Sequence, residues 1–113
     1  MSGHPLDSFP HVDWDSYVQI GDLARYGEKR LKIAGLIIES RMHRQTDGRP
    51  MKFISLCDYS GVVECELFAD VYQRFGTATV RFPVVEVIGK VQPFKNGNGH
   101  TLQVLYVGEA RNC

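Results

Sequence analysis

The stretch from Leu31 to Phe68 constrains this chain more than any other. Leu31, Ile33, Gly35 and Ile37 fall on one parity, the period of a strand with one face in a core, and the glycine removes a side chain where such a strand must bend sharply. A long strand that bends can belong to two sheets at once. After the polar segment His43–Pro50, two shorter runs, Met51–Asp58 and Gly61–Phe68, are joined by Asp58-Tyr59-Ser60-Gly61 and read as a hairpin. Glu64 and Glu66 must face water, which turns Val63, Cys65 and Leu67 inward. A two-residue turn then sets Ile54 opposite Cys65 and Leu56 opposite Val63, with Phe53 on the outer face. A three-residue turn with a bulge shifts the register by one and buries Phe53 instead, at the expense of turning Ile54 and Leu56 to water. The first register is the expected one, and both stay open at this level.

The remaining elements follow from period and punctuation. Strand one runs from about Arg30 to Arg41 or slightly beyond and the loop His43–Pro50, carrying Asp47-Gly48, follows it, with Pro50 ahead of the next strand. Val71, Tyr72 and Phe75 recur at helical spacing before Gly76, which predicts a short helix plugging one end of the sheet. Strand four is expected from about Phe82 to Val91, with Val85, Val87, Gly89 and Val91 on the core face, and strand five from about Thr101 to Val107. The connection between them, Phe94 to His100, holds two Asn-Gly pairs that demand positive φ. This order predicts a mainly β domain, a five-stranded OB-fold barrel with a short helix between strands three and four, over residues 29–113. Residues 1–28 form an acidic leader in which Ile20–Arg25 can support a turn and a half of helix. With Leu6, Phe9, Trp14, Tyr17, Val18, Ile20 and Leu23 it is too apolar for a free tail, so it either lies on the barrel wall or links to it.

Composition narrows the function. A chain of 113 residues, 43% hydrophobic and 23% charged, is one ordinary globular domain. No apolar run approaches the roughly 20 residues needed to span a bilayer, and no export signal is present, so the cytoplasm is the expected compartment and a membrane is not an expected partner. The leader holds Asp7, Asp13, Asp15, Asp22 and Glu28 against Arg25, whereas residues 29–113 hold twelve Lys or Arg against eight Asp or Glu. That mild basic excess hints at a polyanion partner. Cys57, Cys65 and Cys113 are odd in number and lack metal-ligand spacing, as do the four histidines, so they read as reduced packing residues, with no metal and no cofactor expected. No nucleophile, phosphate-loop or zinc-protease motif is present, and no catalytic residue is assigned.

What remains is binding. In OB-folds the ligand groove crosses strands two and three between the first and last loops. Here that maps to Arg41, His43, Arg44 and Arg49 on the first loop, to Lys52, Phe53 and Ser55 on strand two, and to Phe94, Lys95, Asn98 and His100 on the last loop. An exposed phenyl ring can stack on a base while cations neutralise the backbone. Glu64 and Glu66 on the same strand face oppose phosphates, so binding is expected to be weak.

The segments Lys32–Ile37, Arg49–Glu64 and Leu67–Tyr72, preceded by Gly3-His4-Pro5-Leu6, resemble in family order the OB domain near the C-terminal end of the bacterial replicative DNA polymerase III alpha subunit. The resemblance covers roughly Gly3 to Arg111. It implies a non-catalytic module that handles single-stranded DNA, with the rest of a polymerase or other replisome proteins as further partners. A protein-interaction module and an RNA-binding domain of the tRNA anticodon type are the alternatives.

Overall fold

A computed structural model describes residues 3–95, 97 and 99–113. Its strands are β1 (Arg30–Arg44), β2 (Pro50–Cys57), β3 (Val62–Leu67), β4 (Val84–Pro93) and β5 (His100–Glu109), closed into a barrel in the order β1-β2-β3-β5-β4. β1 serves two partners, as its length and glycine predict. Arg30 to Leu36 pair with β4, and from Leu36 to Arg44 the strand pairs with β2. The changeover falls beside Gly35, where a Cβ would stand 2.8 Å from Leu56 Cβ and 3.3 Å from the Cys57 carbonyl oxygen, so only a glycine lets β2 approach this closely at the bend. A bulge between Ile37 and Glu39 adds to the twist.

The β2–β3 hairpin takes the two-residue register: Ile54 pairs with Cys65 and Leu56 with Val63. Ile54, Leu56, Cys65 and Leu67 are all fully buried. Asp58 fixes the turn. Its Oδ1 accepts from Ser60 N (2.7 Å), Ser60 Oγ (2.6 Å) and Gly61 N (3.1 Å), and its Oδ2 accepts from Ile20 N (2.8 Å). A buried carboxylate is tolerated here because donors surround it. Cys57 and Cys65 are free thiols held above the ordinary thiol pKa by burial, which suits packing rather than reactivity.

Two helices separate β3 from β4. α1 (Ala69–Phe75) lays Val71, Tyr72 and Phe75 on the core, Phe75 meeting Tyr106 edge-on at 5.2 Å. α2 (Ala78–Arg81) was not legible in the sequence: Phe82 is its C-cap, and β4 therefore begins at Val84 rather than Phe82. β1 also runs further than expected, through His43 and Arg44, and β2 takes in Pro50 as its first residue, where a missing N–H is harmless. In the β4–β5 loop Gly97 and Gly99 have φ of 76° and 110°, as their Asn-Gly context requires.

The leader contributes core rather than merely covering it. Ile20 and Leu23, from a 3-10 helix over Ile20–Arg25, join the barrel core, while Val12 and Tyr17 form a second cluster with Ala34, Val84 and Ala110. Tyr17 Oη donates to Glu86 Oε1 (2.7 Å) and accepts from Arg111 N (2.8 Å), and burial above all raises its pKa to about 12. The Gly-His-Pro-Leu segment has a mechanical reading. His4 Nδ1 accepts from Leu6 N (3.1 Å) and Asp7 Oδ2 accepts from His4 N (2.9 Å), closing a cap on a 3-10 helix over Pro5–Ser8 whose Leu6 is fully buried. Tyr59 at the hairpin tip donates to Asp7 Oδ1 (3.0 Å), so the leader clasps the β2–β3 turn.

Candidate nucleic-acid interface

The registers of four strand pairs set one row of side chains across the barrel: Arg41 on β1, Phe53 on β2, Glu66 on β3, Gln103 on β5 and Lys90 on β4. Cross-strand neighbours in such a row lie within reach of long and aromatic side chains. At its β1–β2 end the Arg41 guanidinium carbon stands 4.9 Å from the centre of the Phe53 ring, and His43 meets the same ring edge-on at 4.9 Å. Phe53 is half-buried on the outer face. Cation, phenyl and imidazole thus form one cluster on the outer face, the combination that stacks on bases and contacts phosphates.

The other candidate residues divide. Ser55 also faces outward, 3.5 Å from Glu39 Oε1. Arg41, His43 and Arg44 were expected on the loop but project from β1 itself, a rigid base for two members of the cluster. Arg44 turns back on the loop, donating to the Gly48 carbonyl at 2.8 Å. Arg49 pairs with Asp47 (3.0 Å) and with Asp70 of α1 (2.6 Å), and both pairs hold its guanidinium pKa above the ordinary value, Asp70 most strongly. Phe94 and Lys95 are exposed on the β4–β5 loop, His100 is half-buried at the start of β5, and Asn98 lies outside the described residues.

Lys52 is a correction. Successive residues of a strand point to opposite faces, so Lys52 cannot share a surface with Phe53 and Ser55. It shares the inner face with Ile54 and Leu56, is 7% exposed, and donates from Nζ to Thr79 Oγ1 of α2 at 2.7 Å. Desolvation lowers its pKa. The position is a buried tie between β2 and α2 and leaves the groove.

Carboxylates temper the surface. Glu64 forms an ion pair with Arg41. Glu66 has its pKa raised, first by burial and then by Glu64, with Thr101 hydrogen bonding acting the other way. Reading the sequence missed Gln103 and Lys90 as members of the row, although Lys90 shows the outward parity. It missed Asp70 as a partner of Arg49, and Gln45, whose Oε1 accepts from Ala69 N (2.6 Å) and so ties the first loop to α1. No sequence signal marks either contact.

A family described as the OB-fold nucleic acid binding domain, of the tRNA anticodon type, matches residues 31–107. The chain belongs to this family. This OB-fold domain is also similar to part of a longer protein, the DNA polymerase III subunit alpha. It is 32% identical to that of Aquifex aeolicus over 75 residues, 66% of this chain and 6% of the relative. The likeness to the Pseudomonas fluorescens subunit is 28% over 114 residues, 92% of this chain and 9% of the relative. For the Pseudomonas aeruginosa subunit it is 26% over 124 residues, 98% of this chain and 10% of the relative. The domain therefore spans a tenth or less of the length of these relatives. Among the described residues no helix is long and apolar enough to cross a membrane.

Proposed function

We propose that this OB-fold domain is a non-catalytic single-stranded DNA-binding module that works in the cytoplasm as part of, or beside, a replicative polymerase of the alpha-subunit type. The observation that carries the reading is the cluster of Arg41, Phe53 and His43 on the outer face of β1 and β2. A base stacks on the Phe53 ring beside His43 as Arg41 turns from the ring to the adjoining phosphate. Further along the row, the Gln103 amide and the Lys90 ammonium stand where a strand crossing the barrel would pass. Residues 1–28 act as a clasp on the barrel, which occupies residues 29–113. The DNA polymerase relatives favour DNA over RNA as the polyanion, and the rest of a polymerase is the natural neighbour.

Affinity should be micromolar or weaker, since the cluster offers few cations and two outward glutamates oppose them. Anisotropy titrations against single-stranded DNA, duplex DNA and RNA of equal length test the reading. Single-stranded DNA is expected to bind tightest, with log K falling by roughly 0.7 per neutralised phosphate per log unit of salt, hence a slope near −2 for about three contacts. Duplex binding of equal strength would sink the stacking mechanism. A clear preference for RNA would move the domain to the anticodon-type reading that its family description also accommodates. A flat salt response would point to a protein partner.

A further inference from the structure

We infer that Glu64 occupies the place of a backbone phosphate on Arg41, so that a single strand is admitted only by exchanging one ion pair for another. The inference rests on the single-strand reading above and specifies its regulation. Arg41 lies on β1 and Glu64 on β3, so their ion pair passes over β2 between them, across the face that carries Phe53 and Ser55. The guanidinium is committed twice. Its central carbon lies over the Phe53 ring, and its Nη2 is directed at Glu64 Oε2. A carboxylate presents two oxygens to the guanidinium fork much as a phosphodiester does.

The neighbouring arginines repeat the arrangement. Arg49 is held by Asp47 and Asp70 at 3.0 and 2.6 Å, and Arg44 donates to the Gly48 carbonyl. Arg41, Arg44 and Arg49 are therefore all engaged by the domain's own acceptors. These contacts are not a structural lock. The Arg41 and Glu64 side chains are 45% and 36% exposed, and ion pairs open to water to that degree contribute little to stability and exchange readily. The pair acts as a threshold. A strand arriving from dilute solution must release Glu64 from Arg41 before it places a phosphate there, whereas a strand already tethered nearby by a larger assembly meets the same groove at high effective concentration. Selectivity for delivered strands follows without any new contact.

The exchange leaves a trace in the salt dependence. When phosphate displaces Glu64, the freed carboxylate regains counterions, and the net ion release from that contact is lost. Glu64→Gln keeps the shape and removes the competitor, so it should recover one full contact. Relative to wild type, the salt slope should steepen by about 0.7, which amounts to about five-fold tighter binding at about 0.1 M salt when referred to 1 M. Glu39→Gln is the control, since Glu39 lies on the same face opposite Ser55 and makes no ion pair among the described residues. It removes the same charge and should leave the slope parallel to wild type. The double variant Arg41→Gln/Glu64→Gln should lose the gain, which assigns the effect to the pair.

The assay is a salt series of anisotropy titrations with oligothymidylate on the full chain, with thermal melts to confirm folding. Equal effects of Glu64→Gln and Glu39→Gln, or parallel slopes throughout, would overturn the exchange and leave a general field effect. Absence of binding by Glu64→Gln at low salt would overturn it together with the single-strand reading. Loss of binding in Phe53→Ala without any slope change in Glu64→Gln would sink the exchange alone.

Discussion

Replacing Phe53 by alanine separates a groove residue from a core residue in one experiment. The ring stands on the outer face of β2, and its partners are Arg41 at 4.9 Å and His43 edge-on at 4.9 Å, while Ile54 and Leu56 fill the core behind the strand. Truncation removes an aromatic pair contributing about 0.5–1.5 kcal/mol and an exposed cation–π contact contributing about 0.5–1 kcal/mol. It leaves water rather than an enclosed void, so the expected loss of stability is about 1–2.5 kcal/mol, below the about 3–5 kcal/mol of a fully buried phenylalanine. For a domain of this size each kcal/mol moves the midpoint by about 4 °C, so the melt should fall by about 4–10 °C. Single-strand binding should weaken by about 1–3 kcal/mol, roughly five- to 150-fold. Thermal melts and anisotropy titrations on the same preparation give both numbers. A melt lowered by about 15 °C or more, with affinity per folded molecule unchanged, would refute both the outward placement and the stacking role.

Three further outcomes are expected. Gly89→Ala should cost about 1–3 kcal/mol in a denaturant titration, because a Cβ there would stand 2.6 Å from the Gln103 carbonyl oxygen and 3.0 Å from Leu102 Cγ, and the first of these is backbone that cannot turn aside. Asp58→Ala should cost at least about 2 kcal/mol by leaving the Ile20, Ser60 and Gly61 amides without their acceptor, and faster hydrogen exchange at the Ile20 amide would be its signature. The third concerns pH. Glu66 has a raised folded-state pKa, so the native chain binds a proton more tightly than the unfolded one, and this residue's contribution grows more stabilising as pH falls from the raised value towards the ordinary carboxylate value. Glu66→Gln should therefore raise stability near neutrality and flatten that acid-side gain, read as denaturant midpoints across the pH series, and an unchanged pH profile would refute the assignment.

The strands, the hairpin register and the inward Ile54 and Leu56 were legible because each rests on local chemistry. Alternation gives the buried face, charged residues such as Glu64 and Glu66 veto the wrong face, and Asp58 to Gly61 have the composition of a tight turn. The same alternation, applied strictly, excludes Lys52 from the surface that carries Phe53. Only its nearness to Phe53 in sequence suggests otherwise. Helix α2 was missed because four residues carry too little periodicity to announce themselves.

Sequence by itself thus determined which residues can be core and which must be wet, and it singled out Phe53 with nearby cations. Only the tertiary structure decided how far those cations are spoken for. The parallel pairing of β3 with β5 places Gln103, and through the β4–β5 register Lys90, in the row with Phe53, and it joins residues far apart along the chain. The Arg41–Glu64 and Arg49–Asp70 pairs likewise link positions 23 and 21 residues apart. Side-chain pairing of this kind depends on where two strands or a strand and a helix meet in space, and no periodicity within either element encodes it.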